Sequence, residues 1–177
     1  LFTDTGNLHQ LKAMDVPAGK LRDKGTPIDN LSKFDGGKET IVYLADSREL
    51  KGKVLVFATR TAMVKQVPAE EFETNNRTVA ATKLQDGDAL VSVTPVEGQT
   101  EVVLRTSNGV FLRFMLEEIS VMKKNARGVR GIKLARGEEL EALYLLGEDP
   151  VVDYKGKEVH MNRLKLAKRD GKGSKVR

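Results

Sequence analysis

A cation followed by a small residue recurs four times along the chain. The copies are spaced by 53, 50 and 45 residues and read Lys24-Gly25-Thr26, Arg77-Thr78-Val79, Arg127-Gly128-Val129 and Lys172-Gly173-Ser174. A lysine or arginine can pair with a phosphate oxygen, and a small neighbour lets the backbone approach closely enough for its N–H to donate as well. The pattern predicts a series of equivalent phosphate contacts. Strand geometry with a solvated cation is the alternative explanation.

Further basic residues stand beside these four positions. Seven of them are additional candidate phosphate contacts: Arg22, Lys123, Lys124, Arg130, Lys168, Arg169 and Lys175. The segment 155–177 holds nine lysine or arginine residues against Glu158 and Asp170, and the whole chain has a formal net charge of +5. This distribution favours an anionic partner, whereas a basic tail taken alone can equally be a solvated end.

No other group of residues has the spacing of a catalytic, metal or nucleotide site. The two histidines, His9 and His160, offer no ligand cluster. The segment Arg127–Gly131 neither follows a βαβ strand nor opens a helix, as a nucleotide loop would. Three acidic pairs recur at turn positions, where solvated surface charge explains them better than acid–base catalysis: Glu70-Glu71, Glu117-Glu118 and Glu138-Glu139. We therefore predict no catalytic residues, no metal site and no cofactor in this chain.

The elements that position the cations belong to an internal repeat. Four segments align without gaps, at residues 3–11, 59–67, 106–114 and 153–161. The second, third and fourth begin 47 residues apart, and the first precedes the second by 56 residues. We place the excess in the polar stretch Asp46–Lys53. Repeats of this length typify propeller blades, whose sheets must stack on their neighbours to bury their faces.

Each aligned segment has the pattern of a β-hairpin. Asn108-Gly109 is a strong two-residue turn signal, whereas Ala62 replaces the glycine in the second copy and predicts a locally different turn. A second hairpin is predicted in each complete repeat, with Lys83-Leu84 and Leu90–Val93 as its strands in the second copy. The acidic stretch between the hairpins, such as Ala69–Phe72, has the length of a single helical turn.

These elements predict an all-β, β-propeller-like chain of four-stranded blades, with about three and a half blades present. The predicted repeats cover residues 1–46, 54–93, 102–144 and 151–177, with Leu8, Val64 and Phe111 in equivalent core columns. The chain opens on Leu1 inside a predicted strand, so we expect it to be a piece of a larger protein. No run approaches the roughly 18 apolar residues of a membrane helix, and the absence of cysteine fits a cytosolic protein.

Several motifs resemble the C-terminal domain of the A subunit of type IIA topoisomerases, that is, DNA gyrase and topoisomerase IV. The resemblance covers nearly the whole chain. It rests on the opening Leu1-Phe2-Thr3 with Gly6, the Lys24-Gly25-Thr26 element before Asn30-Leu31, the paired glutamates at 70–71 and 117–118, and the segment Ala126–Leu134. Residues Ala167–Gly173, Ala-Lys-Arg-Asp-Gly-Lys-Gly, are a degenerate match to the Gln-Arg-Arg-Gly-Gly-Lys-Gly box of gyrase.

The resemblance implies a β-pinwheel with double-stranded DNA wrapped around a basic outer rim, without sequence specificity. It also implies a parent enzyme that changes DNA topology with ATP and Mg²⁺, whose catalytic tyrosine and ATPase lie outside this domain. The rest of the A subunit and a B subunit would be its partners, and the bacterial cytoplasm, at the nucleoid, its location; no membrane is implied.

The alternative is a propeller that binds protein or peptide on one face and does not bind DNA. Such a module needs an exposed apolar or aromatic patch, and the three tyrosines and six phenylalanines fall mostly in core-like columns. A stand-alone enzyme is a more distant alternative. Strong salt dependence of binding would distinguish a DNA-binding rim from a peptide-binding face.

Overall fold

The computed structural model describes residues 1–148 and 150–176, and its regular secondary structure consists mainly of short antiparallel strands joined by turns and loops. The all-β prediction is confirmed. The strands are β1 (Phe2–Thr3), β2 (Asn7–His9), β3 (Ile41–Tyr43), β4 (Val54–Thr59), β5 (Met63–Pro68), β6 (Thr78–Ala80), β7 (Leu90–Pro95), β8 (Glu101–Thr106), β9 (Val110–Met115), β10 (Val129–Arg130), β11 (Leu140–Leu145), β12 (Val151–Tyr154), β13 (Lys157–His160) and β14 (Ser174–Lys175).

Helical structure is confined to single turns. The one α-helix described, α1 (Ser47–Leu50), lies in the polar stretch predicted as an insertion, and the Asp46 side chain caps it by accepting from the Arg48 N–H. The acidic stretches form 3-10 turns, as predicted. The 3-10 turns are Ala13–Asp15, Ile28–Asn30, Ala69–Phe72, Leu116–Glu118 and Met161–Arg163. Among the described residues, no helix has the length and apolar character that crossing a bilayer requires.

The strands form three four-stranded sheets and one two-stranded sheet, which we call blades 1 to 4. Blade 1 has the strand order β3-β1-β2-β6, blade 2 β7-β4-β5-β10, blade 3 β11-β8-β9-β14, and blade 4 contains β12-β13. The last strand of each complete blade comes from the next repeat: β6 pairs with β2, β10 with β5, and β14 with β9. Each of blades 1 to 3 therefore combines three strands of one repeat with a short strand of the following one.

This strand exchange corrects the predicted second hairpin. Residues 83–84 and 133–134 form no strand, although the turn glycines that follow them, Gly87 and Gly137, have positive φ. The strand after each turn instead pairs with the first strand of its own repeat, as β7 does with β4. The prediction failed because two residues carry too little pattern to identify a strand, and because a hydrophobic pattern does not show which strand a segment pairs with. The predicted repeat boundaries therefore divide the sequence but not the sheets, because each four-stranded sheet takes one strand from the next repeat.

The first hairpin of each repeat turns at the predicted place, but the loop between β8 and β9 has three residues, 107–109, rather than the two predicted. Gly109 joins β8 to β9 with a φ of +71°, in the left-handed region that glycine enters without cost. Ala62 joins β4 to β5 with a φ of +63°, so the alanine takes up the same conformation and the prediction of a different turn was wrong. The Ala62 side chain is fully buried. Packing around its methyl group opposes the cost of an unfavourable backbone angle.

The hydrophobic core lies in layers between successive blades. In β4, Leu55 and Phe57 pack with Phe2 and Leu8 of blade 1, whereas Val56 and Ala58 pack with blade 3 residues such as Leu104. A strand that is buried on both faces needs a continuous apolar run rather than an alternating pattern. The core columns predicted from the repeat are confirmed, because Leu8, Val64 and Phe111 are all buried, one in each layer.

Close packing at Gly128 yields a test of the strand exchange. A Cβ at Gly128 would lie 2.7 Å from the Val64 carbonyl oxygen, whereas a Cβ at Gly137 would meet no atom within 4 Å. Both glycines have positive φ. We expect Gly137→Ala to lower the free energy of unfolding by about 1–2 kcal/mol, the cost of the backbone angle. Gly128→Ala should cost about 1–3 kcal/mol more, because the exchanged strand must shift.

Urea unfolding of the two variants measures this difference. Equal losses of stability in Gly128→Ala and Gly137→Ala would contradict the close contact between the exchanged strand and blade 2.

Candidate nucleic-acid interface

Three of the four recurring cations occupy equivalent positions in the fold. Arg77 immediately precedes the exchanged strand β6, Arg127 comes two residues before β10, and Lys172 comes two residues before β14. Each therefore stands where a connecting segment joins the edge of the preceding blade. Lys24 precedes no strand, because residues 16–27 contain none. Its equivalence to the other three rests on the sequence pattern and on Gly25, which shares the positive φ of Gly128 and Gly173.

Packing accounts for two of the small residues that follow the cations. A Cβ at Gly128 would clash with the backbone of Val64, and a Cβ at Gly173 would lie 2.7 Å from the Phe111 carbonyl oxygen. These glycines let an exchanged strand lie against its neighbour, so strand geometry explains them without a ligand. The cations themselves have no such explanation, since all four are exposed.

The eleven candidate cations divide into two groups by their contacts. Eight are exposed and form no side-chain hydrogen bond or ion pair within residues 1–148 and 150–176: Arg22, Lys24, Arg77, Lys123, Arg127, Lys168, Lys172 and Lys175. The other three bind the protein itself. Lys124 Nζ donates to the Glu71 carbonyl oxygen at 2.9 Å, Arg169 donates to the carbonyl oxygens of Glu118 and Arg130, and Arg130 pairs with Asp170. The first group can pair with phosphate without breaking a described contact.

Five of the exposed cations belong to two equivalent loops. We call residues 121–130 basic loop 3 and residues 166–175 basic loop 4; each runs from a bridge with the preceding blade to its exchanged strand. The loops align without a gap at a spacing of 45 residues, so that Lys123 matches Lys168 and Arg127 matches Lys172. An open groove of about 510 Å³ lies beside basic loop 3, lined by Lys83, Leu84, Gln85, Asp86, Asn125 and Arg127.

Basic loop 3 is organised from below by a buried lysine that the sequence analysis missed. Lys65 is 2% exposed, and its ammonium donates to the carbonyl oxygens of Lys124 and Ala126. Its Nζ also lies 5.4 Å from the centre of the Phe57 ring. Burial lowers the pKa of Lys65 to about 8, against the attraction of the nearby Glu71 carboxylate. The signal in the sequence was a lysine in a column that otherwise holds His9, Leu112 and Val159.

The neighbouring column of the repeat anchors the connections between blades. Gln66 Nε2 donates to the Ile119 carbonyl oxygen at 2.6 Å, and Arg113 Nη1 donates to the equivalent Leu164 carbonyl oxygen at 3.0 Å. Each side chain thus binds the backbone that leads into a basic loop. Sequence reasoning missed both residues, because a polar residue within a strand gives no sign of which carbonyl oxygen it will bind.

The prediction that the acidic pairs are solvated surface charge needs revision. Glu138 is buried rather than solvated, since it accepts hydrogen bonds from the Thr106 hydroxyl and from the Ala135 N–H. Glu71 and Glu118 are half-buried and also bind protein groups.

His9 is buried, with Nδ1 2.9 Å from Thr78 Oγ1 and Nε2 2.8 Å from Glu39 Oε1. Within the described ranges there is no group of three or more metal-binding side chains.

The fold and its exposed cations together define a class of protein: a β-pinwheel with basic connections along its blade edges. A comparison with family models matches residues 53–97 and 100–146, just over half of the chain, to the family described as "DNA gyrase C-terminal domain, beta-propeller". The chain belongs to this family.

Relatives with curated descriptions agree with that assignment. The chain is 36% identical over 150 residues to the DNA gyrase A subunit of Lawsonia intracellularis, covering 84% of this chain and 18% of the relative. It is 29% identical over 185 residues to the DNA gyrase A subunit of Mycoplasma genitalium, covering 99% of this chain and 22% of the relative. The chain thus spans about a fifth of the length of these relatives.

Solved structures show the same fold. The C-terminal domain of DNA topoisomerase IV superposes with a TM-score of 0.86 at 25% identity, over 99% of this chain and 57% of that one. The C-terminal domain of Escherichia coli ParC gives a TM-score of 0.77 at 18% identity, over 99% and 74%. The resemblance to the A subunits of type IIA topoisomerases and the β-pinwheel prediction are confirmed.

The lowered pKa of Lys65 predicts how stability changes at alkaline pH. The folded chain releases this proton near pH 8, whereas an unperturbed lysine releases it near 10.5. The unfolded chain therefore binds more protons between these values, and Lys65 makes the free energy of unfolding rise with pH in that window. Relative to Lys65→Met, the wild-type chain should gain roughly 2–3 kcal/mol from about pH 8 to about pH 10.5, at about 1.36 kcal/mol per pKa unit.

Urea unfolding at a series of pH values measures this gain. Lys133→Met removes an exposed lysine and serves as the control. A difference between Lys65→Met and wild type that does not vary with pH would show that the buried lysine has an ordinary pKa.

Proposed function

We propose that this chain binds double-stranded DNA without sequence specificity and bends it along the edges of successive blades. The observation that carries the proposal is the set of eight exposed cations without a described protein partner, four of which recur at the same position of the repeat. Cations that follow a curved edge can pair with successive phosphates of a bent duplex, and such contacts carry no sequence information. Membership of the gyrase C-terminal domain family supports the same proposal.

We further propose that the chain serves as this domain in the A subunit of a type II topoisomerase, either gyrase or topoisomerase IV. The parent enzyme would change DNA topology with ATP and Mg²⁺ bound elsewhere, assisted by a B subunit at the bacterial nucleoid. In this proposal the chain supplies no reacting group. Its exposed cations hold a DNA segment in a bent path beside the catalytic parts of the enzyme.

Electrostatic binding predicts a strong dependence on salt. If about six phosphates are neutralised, log K should fall with log salt concentration at a slope near −5, because each contact releases condensed counterions. A titration of the chain on mixed-sequence duplexes at several salt concentrations measures the slope. No binding at low salt, or an association constant independent of salt, would reject the proposal and favour a protein-binding propeller.

The four recurring cations should matter more than other basic residues. The variant Lys24→Ala/Arg77→Ala/Arg127→Ala/Lys172→Ala should lose bending and most of its affinity, and each single substitution should reduce the salt slope by about one unit. The fold should persist, because exposed charges contribute little to stability. The measurements are anisotropy titrations on duplex DNA and the change in linking number of a relaxed plasmid.

A charge-matched control separates position from bulk charge. Four exposed cations outside the basic loops suit this purpose: Lys38, Arg48, Lys51 and Arg136. Their combined replacement by alanine lowers the net charge equally but should leave bending intact. Equal losses of affinity in the two quadruple variants would mean that a diffuse positive field attracts the DNA and that the proposed site residues are wrong.

A further inference from the structure

Each basic loop contacts a glutamate of the preceding repeat in the same way. The backbone N–H of Arg169, in basic loop 4, donates to Glu118 Oε2 at 3.0 Å, and Arg169 Nε donates to the Glu118 carbonyl oxygen at 2.9 Å. In basic loop 3, the N–H of Lys124 donates to Glu71 Oε2 at 3.3 Å, and Lys124 Nζ donates to the Glu71 carbonyl oxygen at 2.9 Å. Two copies of one four-atom arrangement make a chance contact a poor explanation.

The contact lies beside the cations proposed to meet DNA. Arg169 follows the exposed Lys168 directly and is three residues before Lys172; Lys124 stands in the same relation to Lys123 and Arg127. The glutamate itself is held in place, because its 3-10 turn begins at a buried residue, which is Leu116 for Glu118 and Ala69 for Glu71. The carboxylate thus connects a rigid part of one blade to the backbone of the next basic loop.

If only their charge mattered, these glutamates would weaken the binding of phosphate to this surface. A carboxylate repels DNA, so its removal should strengthen binding if its only effect is on the electrostatic field. The geometry suggests the opposite effect. Without an acceptor for the Arg169 N–H, the loop loses one of the contacts that fix the spacing between Lys168 and Lys172.

We propose that Glu118 and Glu71 are positioning residues for DNA binding, each holding the basic loop of the next repeat so that its exposed cations meet successive phosphates. The inference rests on the DNA binding proposed above. Glu118 is the cleaner test. Glu71 also attracts the buried ammonium of Lys65, whereas Leu112 occupies the corresponding position below basic loop 4.

Three single substitutions in the full chain separate position from charge. Glu118→Ala removes the acceptor and the charge, Glu118→Gln removes the charge but keeps an acceptor oxygen, and Glu117→Ala removes an exposed neighbouring charge. On a mixed-sequence duplex, we expect Glu118→Ala to bind about threefold to tenfold more weakly than wild type, the effect of losing one ordinary hydrogen bond. Glu118→Gln and Glu117→Ala should bind as tightly as wild type or more tightly.

The inference is overturned if Glu118→Ala binds DNA at least as tightly as the other two variants. Equal gains of affinity in all three variants would mean that Glu118 acts through its charge alone. Glu118→Asp keeps the charge but shortens the side chain, so weakened binding by this variant supports positioning even if Glu118→Ala fails to fold, and unchanged binding opposes it. Failure of the wild-type chain to bind DNA would instead reject the proposed function. Amide exchange at Arg169, protected in wild type and in Glu118→Gln but not in Glu118→Ala, would then still establish the contact with the loop.

Discussion

The exchange of a short strand between repeats is the interaction on which the rest of the structure depends. A blade made from one repeat alone would have three strands, and both faces of its first strand would be apolar. The exchanged strand completes the sheet and ties each repeat to the one before it, while the apolar faces pack in layers between the blades. Blades 2 and 3 are thus joined to their neighbours by backbone hydrogen bonds as well as by side-chain packing.

The same exchange determines where the cations stand. The chain must leave its own blade, cross to the preceding one and return, and the crossing segments are the basic loops. The anchors along this path are side chains of the preceding repeat, such as Gln66 and Arg113. A short loop held at both ends loses little conformational freedom when it binds a ligand, which favours affinity from few contacts. The fold that buries the core therefore also prepares the surface for binding.

The sequence predicted the repeat, the first hairpin of each repeat and the core columns because these depend on local spacing. Asn108-Gly109 encodes its turn, and the 47-residue period makes Val64 and Phe111 equivalent without any knowledge of the fold. Strand exchange could not be predicted, because β6 has three residues and β10 has two. Segments this short have no pattern that shows which strand they pair with. For the same reason, the sequence could not show which candidate cations bind the protein itself and which are free of such contacts. Lys124 and Lys123 therefore looked alike.

The two basic loops are supported by different contacts, so salt should affect those contacts differently. Basic loop 3 lies over the buried ammonium of Lys65, whereas the corresponding position below basic loop 4 is Leu112. The ion pair of Arg130 with Asp170 joins the two loops to each other. A buried charge is weakly screened by salt, while an exposed ion pair is screened strongly. The contacts of Lys65 beneath basic loop 3 should therefore persist at salt concentrations that weaken the ion pair between the two loops. The repeat supplies equivalent positions, but differences beneath the surface set how firmly each one is held.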